Sequence, residues 1–337
     1  MAATRRKILF IQRVHECGHA LVAARGDVDI DIYEGRDPDE IKRRIADADA
    51  VVVRTAVIDR SVIDAGPRLS IISRHGVGYD AVDIAAAAER SIPVTITPLA
   101  NSVSVAEHTM FMLLALAKNA RGNDAAVRAN RFERARVSMK PLDLDGRNLL
   151  IVGFGRIGSR VAPRALGFGM RVHACDPYVE RTVMEAAGCT AADDLHAVLP
   201  EMDAVTVHTP LNHETRGIIG ATELALMKPT AFVVNTARGG VVAEDALLAA
   251  LEADRIGGAG LDVFESEPTP PRTDHPLLGF DNVIVSPHCA GVTVESSMRM
   301  AEYAVRNVLD CFDGRLDPEV VVNRHLMPVP FRPLASS

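Results

Sequence analysis

Short apolar runs alternate with helical patterns along the first third of the chain. Strands are predicted at residues 8–11, 28–32, 50–53, 69–73 and 94–97, with helices at 14–24 and 37–46. In the second helix, Asp37 is the expected N-cap, Pro38 takes the first position and Glu40 is the expected capping-box partner. Strands that alternate with helices indicate a parallel sheet.

An unusually apolar helix is predicted next. Ser104 and Glu107 have capping-box spacing and precede residues 110–117, which are apolar on every side. Such a helix should be buried all round. It could lie in a core, or cross between domains or subunits, and the sequence leaves these alternatives open.

The second half repeats the alternation. After a polar stretch at 119–147, strands are predicted at 148–152, 171–175, 204–207, 231–235, 258–263 and 282–286, which completes a second doubly wound sheet. A last helix at 295–312 precedes a β-branched run at 319–323, which we expect to join a sheet of the first domain. We expect the tail at 327–337 to be loosely held.

Three glycines with G-x-G-x-x-G spacing end the first strand of the second sheet. Gly153 permits a tight turn, Gly155 lets the backbone approach a pyrophosphate, and Gly158 lets the following helix pack closely. Asp176 ends the next strand, 176 − 158 = 18 residues later, where an acid binds the ribose of a dinucleotide. The pattern predicts dinucleotide binding, and the alternative is a glycine-rich turn in another α/β protein. Pro163 should kink the helix.

Composition narrows the class of protein. A length of 337 residues suggests about two domains, and a net charge of −7 without a long basic block argues against nucleic-acid binding. Five cysteines without a C-x-x-C pair suggest a reducing compartment. No apolar run has membrane-spanning length, so a soluble, cytoplasmic protein with a small diffusible substrate is expected.

Charged side chains follow several strands of the second sheet. Arg238, Glu267 and His288 come after three different strands, and the carboxyl ends of parallel strands meet at one edge. A guanidinium can clamp a carboxylate, and a histidine held by a carboxylate can transfer a proton while a nicotinamide transfers a hydride. The three residues therefore predict a dehydrogenase site, with His108 as the next candidate proton donor.

Motifs along nearly the whole chain resemble the D-isomer-specific 2-hydroxyacid dehydrogenase family, phosphoglycerate dehydrogenases included. They are R-H-G-V-G-Y-D at 74–80, T-P-L-A-N at 97–101 with S-V-S-V-A-E-H to 108, the glycine motif, V-N-T-A-R-G-G at 234–240, L-D-V-F-E-S-E-P at 261–268 and S-P-H at 286–288. The resemblance implies a Rossmann NAD-binding domain at 102–291, inserted into a flavodoxin-like substrate domain formed by 1–101 and 292–326. It also implies a homodimer joined through the NAD-binding domain.

The resemblance also implies residue roles. Arg238 would orient the substrate, His288 would be the acid/base and Glu267 its partner. Substrate contacts would come from Gly76, Val77, Gly78 and Asn101, and cofactor contacts from Arg156, Ile157, Asp176, Thr209, Thr236 and Asp262. Arg54 resembles the residue that meets the far anion of phosphoglycerate, although a solvated arginine is the open alternative. Ala81, Leu99 and Cys289 depart from the family pattern, so the choice among phosphoglycerate, glyoxylate, hydroxypyruvate and other 2-hydroxy acids stays open.

Two other functional classes are compatible with parts of the sequence, a zinc enzyme and a non-catalytic dinucleotide sensor. His15, Glu16 and His19 form an H-E-x-x-H sequence, which in a helix can bind a catalytic zinc. The chain lacks the extended pattern that supplies a third histidine ligand, so no metal is expected. A non-catalytic dinucleotide sensor would keep the glycines but would not need Arg238, Glu267 and His288 together.

Overall fold

Two parallel sheets organise the chain in the computed structural model, which describes residues 5–267 and 269–328. Two compact units result, Met1–Asn101 with Val292–Ser337 as the first and Ser102–Gly291 as the second. Each unit is described by itself.

The strands and helices follow in chain order. The strands are β1 Arg6–Ile11, β2 Val28–Tyr33, β3 Ala50–Val53, β4 Ile71–Arg74, β5 Val94–Thr95, β6 Asn148–Val152, β7 Arg171–Cys175, β8 Thr190–Ala191, β9 Ala204–Val207, β10 Phe232–Asn235, β11 Gly258–Leu261 and β12 Val283–Val285. The helices are α1 Glu16–Ala23, α2 Pro38–Ile45, α3 Arg60–Asp64, α4 Ile84–Glu89, α5 Ser102–Ala117, α6 Ala120–Arg128, α7 Phe132–Ser138, α8 Gly158–Gly167, α9 Arg181–Ala186, α10 Leu195–Val198, α11 Ala221–Leu226, α12 Glu244–Glu252 and α13 Val294–Phe312. Short 3₁₀ turns occur at Leu199–Glu201, Pro276–Gly279, Pro318–Val320 and Arg324–Leu326.

The first unit has a five-stranded parallel sheet in the order β2-β1-β3-β4-β5, which is the flavodoxin-like order. Strand β1, which lies between β2 and β3, is buried on both faces from Ile8 to Ile11. Leu9 and Ile11 pack with Ile41 of α2, whereas Ile8 and Phe10 pack in a second cluster with residues of α13. This two-sided burial explains why the strand reads as a continuous apolar run.

The second unit has a seven-stranded parallel sheet in the order β12-β11-β10-β9-β6-β7-β8. Strand β6 comes first in the chain and lies between β9 and β7, so the strand order reverses there. A ligand crevice forms at such a reversal, beyond the carboxyl ends of the strands. The expected class of two doubly wound parallel sheets is confirmed.

Several local predictions were wrong for physical reasons. Asp37 caps α2 as expected, by accepting from the Asp39 amide, but Glu40 binds Arg43 and Arg44 instead of closing a capping box. Helix α5 begins at Ser102, so the proposed box at Ser104 lies inside it. Pro163 does lie inside helix α8, as predicted, and a kink or a loosened turn there stays a prediction. The polar stretch before β6 also contains two unpredicted helices, α6 and α7.

Helix α5 is not buried all round within one chain. Met112 and Leu113 are fully buried, but Phe111 is 55% exposed, and its ring makes a tilted contact with the His108 ring. A helix with an apolar outer face leaves that face available to another surface. No helix among the described residues is both long and apolar enough to cross a membrane.

The β-branched run at 319–323 forms a 3₁₀ turn and a single antiparallel bridge from Val321 to Thr95, not a strand. Backbone bonds from the Ile96 amide to the Val320 carbonyl at 3.2 Å and from the Val322 amide to the Val94 carbonyl at 2.9 Å join the run to the first sheet, and Asn323 adds a side-chain connection. Its fully buried amide accepts from the Val94 amide at 2.9 Å and donates to the Ile92 carbonyl at 2.9 Å. The predicted loose tail lies, from residue 329 onward, outside the described residues.

Asn323→Ala should lower the free energy of unfolding by about 2–4 kcal/mol, because it leaves buried backbone groups without their partner. Asn282→Ala is the control, since that exposed amide donates to the Gly257 carbonyl at 3.1 Å and water can replace it. Chemical denaturation of both variants measures the difference. Equal, small losses would show that Asn323 does not hold this segment.

Candidate active site

Most of the predicted site residues follow one row of the second sheet. Register pairs the last residues of six strands side by side, namely Cys175, Val152, Val207, Asn235, Leu261 and Val285. The next residues in the chain are therefore brought to one edge, and they are Asp176, Gly153, His208, Thr236, Asp262 and Ser286.

The three glycines have different steric surroundings. Gly153 has a φ of +92°, and an added Cβ would lie 2.9 Å from the His208 backbone. At Gly158 an added Cβ would lie 2.1 Å from the Gly153 carbonyl oxygen, so helix α8 packs directly on the loop. At Gly155 it would meet no atom within 4 Å. The open side at Gly155 fits the approach of a pyrophosphate to the start of α8, where Arg156 and Ile157 lie.

Asp176 joins the two loops at the adenosine side. Its Oδ2 accepts from the Phe154 amide at 2.7 Å, and its Oδ1 accepts from the Tyr178 amide at 2.8 Å. The carboxylate is thereby held against the glycine loop, and each of its oxygens keeps a further lone pair for a ribose hydroxyl.

Buried polar groups lie where the nicotinamide half is expected. The hydroxyls of Thr236 and Thr109 are 3.0 Å apart, and the Thr209 hydroxyl has no hydrogen-bond partner among the described residues. An unsatisfied buried hydroxyl is costly, so Thr209 fits a contact with a bound group. Burial lowers the pKa of the neighbouring His208 to about 3, so that ring is neutral.

Arg238 follows β10 in a turn shaped by Asn235. The Asn235 side chain accepts from the Ala237 amide at 3.0 Å and donates to the Arg238 carbonyl at 2.9 Å. The Arg238 guanidinium donates to the Ala237 carbonyl at 2.7 Å, and its charge reaches Glu267. The turn therefore fixes a cation at the sheet edge.

His288 and Glu267 are hydrogen-bonded through His288 Nδ1 and Glu267 Oε2. Glu267 Oε1 also accepts from the Phe264 amide at 3.0 Å. Burial alone would raise the pKa of Glu267, but the hydrogen bond and charge of His288, the Phe264 amide and Arg238 hold it below its ordinary value. Glu267 is thus ionised at neutral pH and orients the ring, which leaves Nε2 for proton transfer.

The predicted nicotinamide contact Asp262 has another role that the sequence did not reveal. Its carboxylate is 1% exposed and accepts from the Cys289 amide at 2.8 Å and the Ala290 amide at 2.9 Å. His288 itself has a φ of +51°, a conformation that costs a non-glycine residue about 1–2 kcal/mol. Asp262 therefore stabilises the loop that carries His288.

The substrate residues expected in the first unit surround one loop. Gly76 has a φ of +143°, and its carbonyl accepts from the Thr97 amide, which joins the Gly76–Val77–Gly78 loop to the segment ending at Asn101. Three polar side-chain atoms here are buried without a hydrogen-bond partner among the described residues: His75 Nε2, Thr97 Oγ1 and Asn101 Oδ1. Such a group of unsatisfied atoms fits a binding site for a polar ligand. His75 and Thr97 lie within the motifs at 74–80 and 97–101, but the sequence alone assigned neither of them a role.

Arg54 follows β3 and donates to the Arg13 carbonyl at 3.2 Å. Arg13 in turn binds Glu34 through its Nε at 2.9 Å. Arg54 thus lies at the carboxyl edge of the first sheet, the edge at which ligands bind in this architecture.

The H-E-x-x-H sequence has a structural explanation. His15 is the N-cap of α1 and accepts from the Cys17 amide, whereas the His19 ring packs against Phe10 with centroids 4.6 Å apart. Within residues 5–267 and 269–328, no group of three His, Cys, Asp or Glu side chains is arranged to hold a metal ion.

The fold and the glycine loop are those of a dinucleotide-binding α/β protein. Arg238, Glu267 and His288 follow strands at the carboxyl edge of its second sheet. Residues 110–290 match the family model described as the NAD binding domain of D-isomer specific 2-hydroxyacid dehydrogenases, and the chain belongs to that family. NAD is therefore the cofactor of the second unit.

Relatives and solved structures agree with this assignment. The chain is 39% identical to D-3-phosphoglycerate dehydrogenase of Methanocaldococcus jannaschii, over 94% of this chain but 59% of that protein. It is 38% identical to glyoxylate reductase of Thermofilum pendens, over 91% of each. It also resembles the structure of D-lactate dehydrogenase from Aquifex aeolicus complexed with NAD and lactic acid, with a TM-score of 0.81 and 31% identity over 91% of this chain and 96% of that one.

Gly155→Ala should fold normally but raise the dissociation constant for NADH about 10-fold or more, because its methyl group occupies the open side where phosphates approach. Gly158→Ala should instead lower the melting temperature, because its Cβ meets the Gly153 carbonyl. NADH fluorescence titration and thermal unfolding separate the two effects. Gly279→Ala is the control, since its added Cβ also meets no atom within 4 Å. NADH binding by Gly155→Ala as tight as in the unmodified protein would contradict the assigned pyrophosphate site.

Proposed function

We propose that the protein is an NAD-dependent dehydrogenase that interconverts a 2-keto acid and a D-2-hydroxy acid. The observation that carries the proposal is the His288–Glu267 pair with Arg238 at the same sheet edge as the glycine loop. A dinucleotide sensor needs a cofactor site but has no use for an oriented histidine beside a fixed guanidinium.

The residues divide the work of reduction. Arg238 pairs with the substrate carboxylate and polarises the keto group, which orients the carbonyl carbon. His288 Nε2 gives a proton to the carbonyl oxygen, and Glu267 stabilises the imidazolium before that transfer. NADH supplies the hydride to the same carbon when bound. In the oxidation direction His288 accepts the hydroxyl proton.

NAD is proposed in preference to NADP because Asp176 presents a carboxylate to the adenosine ribose. A 2′-phosphate would be repelled by that charge, and Pro177 and Tyr178 follow Asp176 in place of an arginine that could offset it. The backbone amides of Phe154 and Tyr178 fix the position of the Asp176 carboxylate.

The substrate is proposed to be a small anionic acid. The Thr97 hydroxyl and His75 Nε2 are buried without a partner among the described residues and can donate to an anion, which supports binding of a carboxylate near Gly76, Val77, Gly78 and Asn101. Candidate substrates are 3-phosphoglycerate, glyoxylate and hydroxypyruvate, all three of which appear in the names of similar proteins. The glyoxylate/hydroxypyruvate reductase of Sinorhizobium meliloti, 29% identical with a TM-score of 0.83, is NADPH-dependent, so cofactor choice differs among similar proteins.

A homodimer in the cytoplasm is also proposed. The outer face of α5 lines an apolar groove with Phe168 of α8, and Phe111 is exposed there, which supports pairing through the second unit. All five cysteines lie within the described residues and form no disulfide, which supports a reducing compartment.

A panel of 2-keto acids assayed by NADH absorbance tests the function, and His288 variants test its chemistry. His288→Ala should lower the rate by about 10²–10⁴-fold, the usual contribution of a positioned acid/base. Glu267→Gln keeps the shape but removes the charge that favours the imidazolium. The alkaline limb of kcat/KM for reduction should therefore move to lower pH.

Glu223→Gln is the matched control for Glu267→Gln. Glu223 also binds a histidine, His196, at 2.6 Å, but at a separate surface position. Glu223→Gln should leave the alkaline limb of kcat/KM at the pH found for the unmodified protein. A limb unmoved by Glu267→Gln would exclude Glu267 as the partner, and near-normal rates in His288→Ala would exclude His288 as the proton donor.

Arg54→Ala tests the far-anion contact. Phosphohydroxypyruvate has a second anion to lose and glyoxylate does not, so kcat/KM should fall strongly for the first, by about 10-fold or more, and hardly for the second. Arg60→Ala, which breaks the exposed pair with Glu89, is the control and should affect neither substrate. Equal losses on both substrates would indicate that Arg54 has a structural role.

A further inference from the structure

Ser286 connects a histidine of α5 to the buried Asp262. His108 Nε2 lies 2.9 Å from Ser286 Oγ, and Ser286 Oγ lies 2.5 Å from Asp262 Oδ1. His108 Nε2 is 4.0 Å from that same Oδ1, so the serine hydroxyl carries the connection.

The direction of these bonds follows from proton counting. An ionised carboxylate can only accept, so the single hydroxyl proton of Ser286 is donated to Asp262. Ser286 Oγ must then accept, which places a proton on His108 Nε2. That nitrogen is already engaged, which argues against His108 as the alternative proton donor to a substrate.

Asp262 accepts hydrogen bonds from three successive backbone amides of the loop that carries His288. The His288 amide donates to the Asp262 backbone carbonyl at 2.8 Å, and the amides of Cys289 and Ala290 donate to its carboxylate. Successive amides on one anion favour the left-handed turn that His288 adopts. If the Asp262 carboxylate could move, these hydrogen bonds would weaken. The backbone of His288 would then be free to leave its disfavoured left-handed conformation.

We propose that His108 and Ser286 are positioning residues, which act through Asp262 to hold His288 in its left-handed conformation beside Glu267. The kinetic part of this proposal rests on the proposed dehydrogenase function. Neither residue transfers the substrate proton. Their effect is on the fraction of time for which His288 Nε2 is correctly placed, so they should affect kcat more than binding.

The test compares Ser286→Ala and His108→Leu with His108→Gln. Ser286→Ala removes the hydroxyl, and His108→Leu removes the N–H that donates to it. In both variants kcat for glyoxylate reduction should fall about 10-fold or more, as expected for a misplaced catalytic group. The KM for glyoxylate and the dissociation constant for NADH should stay near those of the unmodified protein. The melting temperature should fall modestly in Ser286→Ala, because the buried Asp262 carboxylate loses a donor. His108→Gln can place an amide N–H near the position of Nε2 and should recover most of kcat. His196→Gln, on an exposed histidine of the same unit, is the control.

Crystal structures of the unmodified protein and Ser286→Ala give a readout that does not depend on activity. The proposal expects His288 in Ser286→Ala to leave the left-handed conformation or to lose Glu267. An unchanged His288 together with unchanged kcat in Ser286→Ala and His108→Leu would overturn it. So would a loss of kcat matched by equal losses of NADH binding and melting temperature in all three variants, because that pattern indicates general destabilisation. If the unmodified protein reduces no keto acid, the proposed function fails, and the two crystal structures still decide the positioning.

Discussion

The active-site proposal depends on parallel pairing among β10, β11 and β12. Their register places Asn235, Leu261 and Val285 side by side, and each strand then runs into a segment that carries charge. Residues separated by 288 − 238 = 50 positions in the chain are thereby brought to one edge without any local motif. Because backbone hydrogen bonds among the three paired strands fix this row, the loops that carry Arg238, Glu267 and His288 start from a rigid scaffold.

The buried carboxylate of Asp262 completes this arrangement. An unpaired charge in such a position would be strongly unfavourable, but here two amides and a hydroxyl satisfy it. Those same bonds offset the unfavourable backbone of His288, so one buried anion stabilises both the loop and the direction of the imidazole. A second carboxylate, Glu267, then orients the ring through Nδ1. The two acids therefore have separate tasks, one on the backbone and one on the side chain.

Much of this could be predicted from the sequence. Alternating apolar runs predict strands and helices, and parallel strands bring their carboxyl ends together. The sequence therefore predicts that Arg238, Glu267 and His288 lie at one sheet edge. Bonds that depend on exact three-dimensional neighbours could not be predicted. The Asp262–Ser286–His108 connection joins three separate segments, and no spacing rule reveals it.

Other differences have equally local causes. Arginines at i+3 and i+4 compete for Glu40, which removes the capping box, and β-branched propensity at 319–323 yields to a 3₁₀ turn anchored by the Asn323 side chain. The apolar pattern of α5 predicts a buried helix without stating what buries it. Phe111 is 55% exposed among residues 5–267 and 269–328, so one side of the helix is left uncovered there.

Transfer of deuterium from NADH labelled at both C4 positions of the nicotinamide measures the proposed hydride transfer itself. The protein would be incubated with labelled cofactor and hydroxypyruvate, and the product examined by NMR and chiral chromatography. We expect deuterium at C2 of the D-hydroxy acid, with His288→Ala forming the same product far more slowly. Oxidation of NADH without deuterium in the product, or formation of the L-enantiomer, would contradict this expectation.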